Sequence, residues 1–472
     1  MSTVFFTNKY EKTIYKQLNE FLDLKKPQIY FPILKKTGKN TKKSMLNNFY
    51  KIYSINAKVN RTAFDLRHFN NCKVDVTLQT NCNIPEKKFK KEKIFTKAVL
   101  LINPLMFIMG KYDNDHTRLL PSRVRPKLNW ILQRKIMSPN NEAYIGAFLS
   151  YLLGKFRERN ECIHFPQFYG TFNGIREKYY YDISVEFSGI KNKSWFKNAL
   201  NSDFKVYSLD GDFPVPLEKI CEDDTTTEYV LELSNVPVQI TCSELLENTL
   251  DSYLKYVSTE KEVLAILFQI IFAMAFAQER IQLCHNDLHS SNIMYEKTTI
   301  KYLYYKIDQH YFKVPTYGKI LKIIDFERAT YTWNKQIFFS EVFDNEGDAT
   351  GQYTFLPYHN INTVDKLDSL SNEKKTSFLL PNLSFDLCRL ATTIISDIPS
   401  NYQNVQSLLK KWMTDDQMKD IRRFSEFKLY KKIASDIKNA VPKMQFEDII
   451  FSDFLLEKCE IPLNVMIYKL LV

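Results

Sequence analysis

Glycine is scarce, with 11 residues in a chain of 472. A fold that relies on several glycine-rich turns is therefore in difficulty from the start. The eight cysteines (72, 82, 162, 221, 242, 284, 388 and 459) form no CxxC pair, so the sequence gives a zinc site no support. Several sit inside apolar runs, as buried free thiols do, and a reducing compartment suits them better than an oxidising one. The opening MSTVFFTNKYEK lacks a signal-peptide pattern, and the chain is expected not to be secreted. The longest uncharged apolar stretch, Val263–Gln278, is shorter than the roughly 18 residues of a membrane span and reads as a buried core helix. No internal repeat is present. Against these absences, 44% hydrophobic residues supply a sizeable core, which excludes a largely disordered chain.

Positive charge is concentrated at the start. Residues 1–60 carry twelve lysines against three acids, Glu11, Glu20 and Asp23. Such an arm can touch nucleic acid phosphates or an acidic membrane surface, although a solvated lysine-rich face is the simpler reading. We treat 1–48 as a basic N-terminal extension. The basic segment 111–135 is a second, weaker nucleic-acid candidate.

Strand-like runs come first: FYKIYSI and KVDVTL within 49–78, KIFTKAVLLI at 93–102, then 179–187 and 229–242. Helical patterns dominate later, at 245–257, 260–283, 384–397, 401–413 and 428–440, with one earlier helix at 141–156. Strands followed by helices indicate an α+β fold with a boundary near 243–248. This yields a strand-rich part at 49–243 and a helical part at 244–472.

The sharpest signal is HNDLHSSNIMY at 285–295, directly after the long helix. Asp287 can accept a proton from an attacking hydroxyl, and the amide oxygen of Asn292 can hold magnesium. The run KIIDFERA at 322–329 reads as a buried strand delivering Asp325 at its end. An Asp, Asn and Asp set suits phosphoryl transfer from a magnesium nucleotide.

Type, order and spacing of these residues resemble the catalytic and metal loops of the protein-kinase-like superfamily. The resemblance implies a bilobal kinase fold with insertions, binding ATP and Mg2+. Asp287 takes the catalytic role, with His285, His289 and Asn292 around it, and Asn292 and Asp325 hold the metal. His285 orients the loop through hydrogen bonds. Asp386, in SFDLCRLATTI, braces the loop from a later helix. Lys97 grips the α- and β-phosphates, with Glu142 as its expected ion-pair partner and Lys93 as a solvated competitor. Cys242 and Glu244 lie in the hinge-like segment 238–254. Longer phrases, among them KAVLLINPLMFIMGKY, FPQFYGTF and DATGQYTF, resemble serine/threonine kinases of giant nucleocytoplasmic large DNA viruses. That likeness implies a protein substrate carrying Ser or Thr, and action in host cytoplasm or in the virion.

Four departures keep alternatives open. Residues 38–110 have glycine only at Gly38 and Gly110, so the usual glycine-rich phosphate lid is missing, which favours a pseudokinase that acts as a binding module. The metal motif is DFE, with Glu327 in the place of glycine. His289 replaces a phosphate-neutralising lysine, and HNDLH with IDFE is also how aminoglycoside and choline kinases are written. Position 286 is Asn rather than Arg, so a phosphate on Thr350, Tyr353 or Thr354 lacks its usual partner, and activity (or inactivity) is expected to be independent of such phosphorylation. The excess at 296–319 reads as an extra β-hairpin that could contact substrate. Oligomeric state is not legible.

Overall fold

The computed structural model describes residues 11–30, 32–33, 52–58, 70–79, 89–112, 120–121, 130–210, 213–218, 228–344, 347–353 and 381–470. The α+β, bilobal kinase-like architecture expected from the sequence is the one adopted. Two compact units form. The first comprises residues 1–147 and 169–245, the second 148–168 and 246–472.

The first unit is built on a curled sheet. Its strands are β1 (Leu24–Gln28), β2 (Ile52–Lys58), β3 (Asn71–Gln79), β4 (Phe89–Leu100), β5 (Phe168–Asp182), β6 (Lys205–Asp210), β7 (Phe213–Pro216) and β8 (Glu228–Glu244). The main path runs β1-β5-β8-β4-β3-β2, with β6 and β7 attached through β8. Branched and aromatic residues alternate along β3 and β4, so one face is fully buried. Val74, Val76 and Leu78 sit on that face of β3, and Ile94, Ala98 and Leu100 on that of β4. Residues 11–28, inside the basic extension, are not a loose arm. Helix α1 (Glu11–Leu22) buries Ile14, Leu18 and Leu22 at four-residue spacing. Then β1 pairs antiparallel with β5, placing Leu24 opposite Arg176. The pairing needs Gly174, because a Cβ there would stand 2.6 Å from the Leu24 side chain and 2.9 Å from the Lys25 carbonyl.

The strand read over 179–187 ends earlier, at Asp182. The Asp182 carboxylate accepts from Ser184 N at 2.9 Å and Ser184 Oγ at 2.6 Å, a turn that opens a short helix at Ser184–Ile190. Helix α2 (Glu142–Glu158) matches the helix expected at 141–156.

The second unit is organised around α3 (Glu260–Ile281), which the side chain of Thr259 caps through Glu262 N at 3.2 Å. At 22 residues α3 is long and apolar enough to cross a bilayer, so the length argument from the sequence does not hold; burial decides instead, since 89% of its most apolar window is packed inside the protein. Phe268 alone meets Tyr305, Phe312, Phe446, Phe451 and Phe454. Strands β9 (Asn248–Thr249), β10 (Ile293–Lys297) and β13 (Lys319–Ile323) form a small sheet in the order β13-β10-β9. Between β10 and β13 comes the expected hairpin, β11 (Tyr302–Ile307) and β12 (His310–Pro315), turning at Asp308 with φ +50°. Its edges are taken by β16 (Leu455–Leu456) and β17 (Ile467–Leu470), the latter parallel to β11. Tyr305 on its inner face is fully buried. Leu303, Ile307 and Phe312 are buried with it, so this side of the hairpin is sheet packing, while Tyr302 is exposed. A two-stranded ribbon, β14 (Thr330–Trp333) and β15 (Gln336–Phe339), follows. Helices α4 (Phe385–Ile394) and α5 (Glu426–Asp436) complete the parts that bear on the site.

Candidate active site

The two signature loops are laced together at both ends. At one end Cys284 and Thr330 exchange two backbone hydrogen bonds of 2.9 Å. At the other, β10 pairs with β13 so that Ile293 faces Ile323, and Ile324 N donates to Asn292 O at 3.0 Å. Asn292 and Asp325 are therefore brought side by side by sheet register, although they stand 33 positions apart in sequence.

The first loop starts where α3 stops. Gln282 closes the helix in the left-handed region, φ +49°. Its geometry is then set by Asp386 at the start of α4, which has no exposed surface. Oδ2 accepts from His285 N and Oδ1 from Asn286 N, both at 2.9 Å. Two consecutive amides can face one carboxylate because Asn286 takes φ +64°, a conformation Asn tolerates better than most residues. Burial pushes the Asp386 carboxyl up to about 6, with the two amides and His285 acting against it. The brace read from SFDLCRLATTI is thus present as hydrogen bonds.

His285 is fully buried, and its Nε2 donates to Ile324 O at 2.8 Å, which ties the first loop to the residue before Asp325. Its ring lies 5.3 Å from that of Phe326, which in turn lies 6.4 Å from Phe165. His285 is a structural link between the loops, and with Nε2 committed to a carbonyl it is placed as an orienting group. Asp325 takes φ +70° just past the end of the buried strand, while Phe326 stays in the core.

Asn292 Nδ2 donates to Asp287 O at 2.9 Å and also approaches His289 Nε2 at 3.0 Å. With its nitrogen engaged on the protein, Oδ1 is the atom left to meet a cation. His289 Nε2 is at the same time 3.8 Å from Asp287 Oδ2, a distance compatible with an ion pair if the ring is charged. We read the ring as neutral: its pKa is lowered, chiefly by burial, and a neutral Nε2 can accept from the Asn292 amide. His289 is therefore no substitute for a phosphate-neutralising lysine; it holds Asn292.

Asn286 stands where an arginine was expected and does different work. Its Nδ2 donates to Arg328 O at 3.1 Å and Cys284 O at 3.2 Å, and its Oδ1 accepts from Tyr353 Oη at 2.5 Å. Tyr353 is buried, so of the three hydroxyls read as phosphorylation candidates it is an internal tie. Thr350 is exposed and closes a turn through Asp344 O and Gly347 O, each at 2.5 Å. Thr354 lies outside the described residues. The roles of Asn286 and Tyr353 were not read from sequence; the signal was position 286 itself, a polar residue that a buried loop must satisfy.

The remaining candidates belong to the first unit. Lys97 is half-buried on β4, opposite Asn71 and Thr241 in the neighbouring strands, while Lys93 is exposed. Glu142 opens α2 in its first turn. Glu244 pairs with Ile94 at the end of β8. Cys242 lies opposite the buried Thr96, on the face away from Lys97, and burial raises its thiol pKa strongly. Its side chain is thus core, and a nucleotide contact at this position is limited to backbone. The connection between β2 and β3, where a phosphate lid would lie, falls at 59–69, outside the described residues.

Among the described residues, no three His, Cys, Asp or Glu side chains gather into a metal cage. An Asp and an Asn oxygen fit magnesium that arrives with nucleotide phosphates, since this ion keeps waters and takes only one or two protein carboxylates in such sites.

Residues 159–383, which contain both loops, match the family described as choline/ethanolamine kinase. The chain is 25% identical over 170 residues to a serine/threonine-protein kinase haspin homolog of Drosophila melanogaster, covering 36% of this chain and 28% of that protein. It is 29% identical over 111 residues to serine/threonine-protein kinase haspin of Bos taurus, 23% of this chain and 14% of that one. An uncharacterized protein of Caenorhabditis elegans is 24% identical over 122 residues, 24% of this chain and 41% of that one. The chain thus spans well under half the length of each of these relatives. Fold, site and matches together support a kinase-like phosphotransferase, a superfamily that in general uses ATP and a divalent cation.

Proposed function

We propose that the protein is an ATP- and Mg2+-dependent kinase that phosphorylates Ser or Thr of a protein substrate. The observation that carries this reading is the pair of laced loops: Asp386 fixes the backbone before Asp287, and sheet register sets Asn292 beside Asp325. Asp287 accepts the hydroxyl proton, and general-base assistance of this kind contributes about 10²–10⁴-fold. Asn292 Oδ1 and the Asp325 carboxylate would hold the magnesium that accompanies the nucleotide, which screens the phosphate charge as the phosphoryl group moves. Lys97 steadies the nucleotide phosphates, and Glu142 steadies Lys97. The haspin matches favour a protein acceptor. The likeness of the longer sequence phrases to kinases of giant DNA viruses supports action in host cytoplasm or in the virion.

A second reading is a small-molecule kinase, favoured by the choline/ethanolamine kinase match over 159–383 and by His289 in the loop. Labelled phosphate transfer from MgATP to a mixed protein panel, beside choline, ethanolamine and an aminoglycoside, separates the two. The proposal expects label on Ser or Thr of protein, lost by roughly 10²-fold or more in Asp287→Asn. Label confined to a small acceptor would establish the second reading, and no transfer to any acceptor would leave a binding module.

A further inference from the structure

Asp287 has a partner that neither loop supplies. Tyr430, half-buried on α5, donates its hydroxyl to Asp287 Oδ1 at 3.0 Å. The same phenol oxygen accepts from Arg389 Nε on α4, also at 3.0 Å. Arg389 is itself fixed, its NH1 donating to Thr392 Oγ1 at 3.2 Å and its guanidinium lying 4.9 Å from the Tyr430 ring centre. Arg328, just beyond the metal motif, reaches the same ring at 5.8 Å. The phenol is therefore held by a cation on one side and aimed at a carboxylate on the other. Burial and the Asp287 charge both raise its pKa, so it remains a donor.

We infer that Tyr430 is a positioning residue for phosphoryl transfer: it fixes Oδ1 of Asp287, leaves Oδ2 toward the incoming hydroxyl, and relays the positive field of Arg389 to the base. The inference rests on the proposed role of Asp287. It also accounts for a departure in the loop. Position 289 holds a histidine where a lysine was expected, and Arg389 provides a cation from a different helix through one intervening hydroxyl. A hydrogen bond to an ionised group is about twice as strong as a neutral one, so the phenol restrains the carboxylate more firmly than a neutral acceptor.

A structural tie between α5 and the loop would show the same contacts, so the test separates transfer from stability. MgATP hydrolysis, with water as acceptor, is measured on the full chain for wild type, Tyr430→Phe, Arg389→Met, Asp287→Asn and the Tyr430→Phe/Asp287→Asn double variant. We expect Tyr430→Phe to lower kcat by about tenfold, with KM for ATP within twofold and the melting temperature nearly unchanged. Arg389→Met, which leaves the phenol in place, should lower kcat by a smaller factor. In the Asp287→Asn background Tyr430→Phe should cost nothing further. Wild-type kcat in Tyr430→Phe beside an impaired Asp287→Asn overturns the inference alone, as does an equal loss in both backgrounds. A wild-type protein that neither hydrolyses ATP nor transfers its phosphate overturns the kinase reading, and this inference with it.

Discussion

The two units specify their parts of the proposed reaction by different means. In the second unit every turn of the catalytic loop is tied down by a side chain: Asp386 on two amides, His285 on Ile324, Asn286 on Arg328 and Tyr353, Asn292 on Asp287. In the first unit Lys97 stands on a long central strand, and its position is set by backbone pairing to Asn71 and Thr241. The one permits little substitution and writes itself into sequence as a motif. The other tolerates many sequences, because a ladder of backbone bonds records only that a strand is there. Chemistry is thus legible in the second unit and nucleotide grip is nearly silent in the first.

This contrast breaks most visibly at Asp386. Asp386→Ala orphans two buried N–H groups, at about 1–3 kcal/mol each, and should destabilise the second unit by roughly 2–6 kcal/mol. Urea unfolding followed by tyrosine fluorescence reads this directly. A loss below about 1 kcal/mol would mean the loop holds its shape without the brace, and the contrast would fail.

His164 sharpens the same point through pH. It is fully buried in the second unit, with Nδ1 donating to Leu321 O and Nε2 accepting from Tyr305 Oη, both at 2.9 Å. Burial lowers its pKa from 6.5 to about 3. A group depressed on folding contributes stability that is present above pH 6.5 and lost progressively as pH falls from 6.5 toward 3. His164→Gln cannot titrate, so between pH 7 and 4 wild type should lose on the order of 2–3 kcal/mol more than the variant. Asp386 titrates with the opposite sign but is present in both proteins, so the difference isolates His164. Parallel acid profiles would show that this histidine is not held neutral.

Much of this was legible in the sequence. HNDLHSSN and KIIDFE placed Asp287, Asn292 and Asp325 on two loops because their spacing and the apolar run before Asp325 are properties of single segments. Strands β2, β3 and β4 and helices α2, α3, α4 and α5 were visible for the same reason, with ends displaced by a few residues. Three things were not read. The β1 pairing depends on Gly174 having no side chain, which one glycine in a strand does not announce. The core position of the Cys242 thiol was legible, since Val236, Val238, Ile240 and Cys242 share one face of β8 while Gln239 and Thr241 take the other, but the hinge-like reading of the segment passed over that alternation. The hydroxyls bonded to Asp287 and Asn286 come from Tyr430 and Tyr353, residues 143 and 67 positions away, and no local pattern links them.

Magnesium-dependent stabilisation by nucleotide tests the central claim most directly. A thermal-shift titration with ATP, with and without Mg2+, is run on wild type, Asp325→Ala and Lys97→Ala. The account predicts a rise in melting temperature for wild type that requires magnesium, the loss of that magnesium dependence in Asp325→Ala, and a smaller rise that still requires magnesium in Lys97→Ala. Magnesium-dependent stabilisation retained in Asp325→Ala, or no stabilisation of wild type at millimolar MgATP, would contradict it.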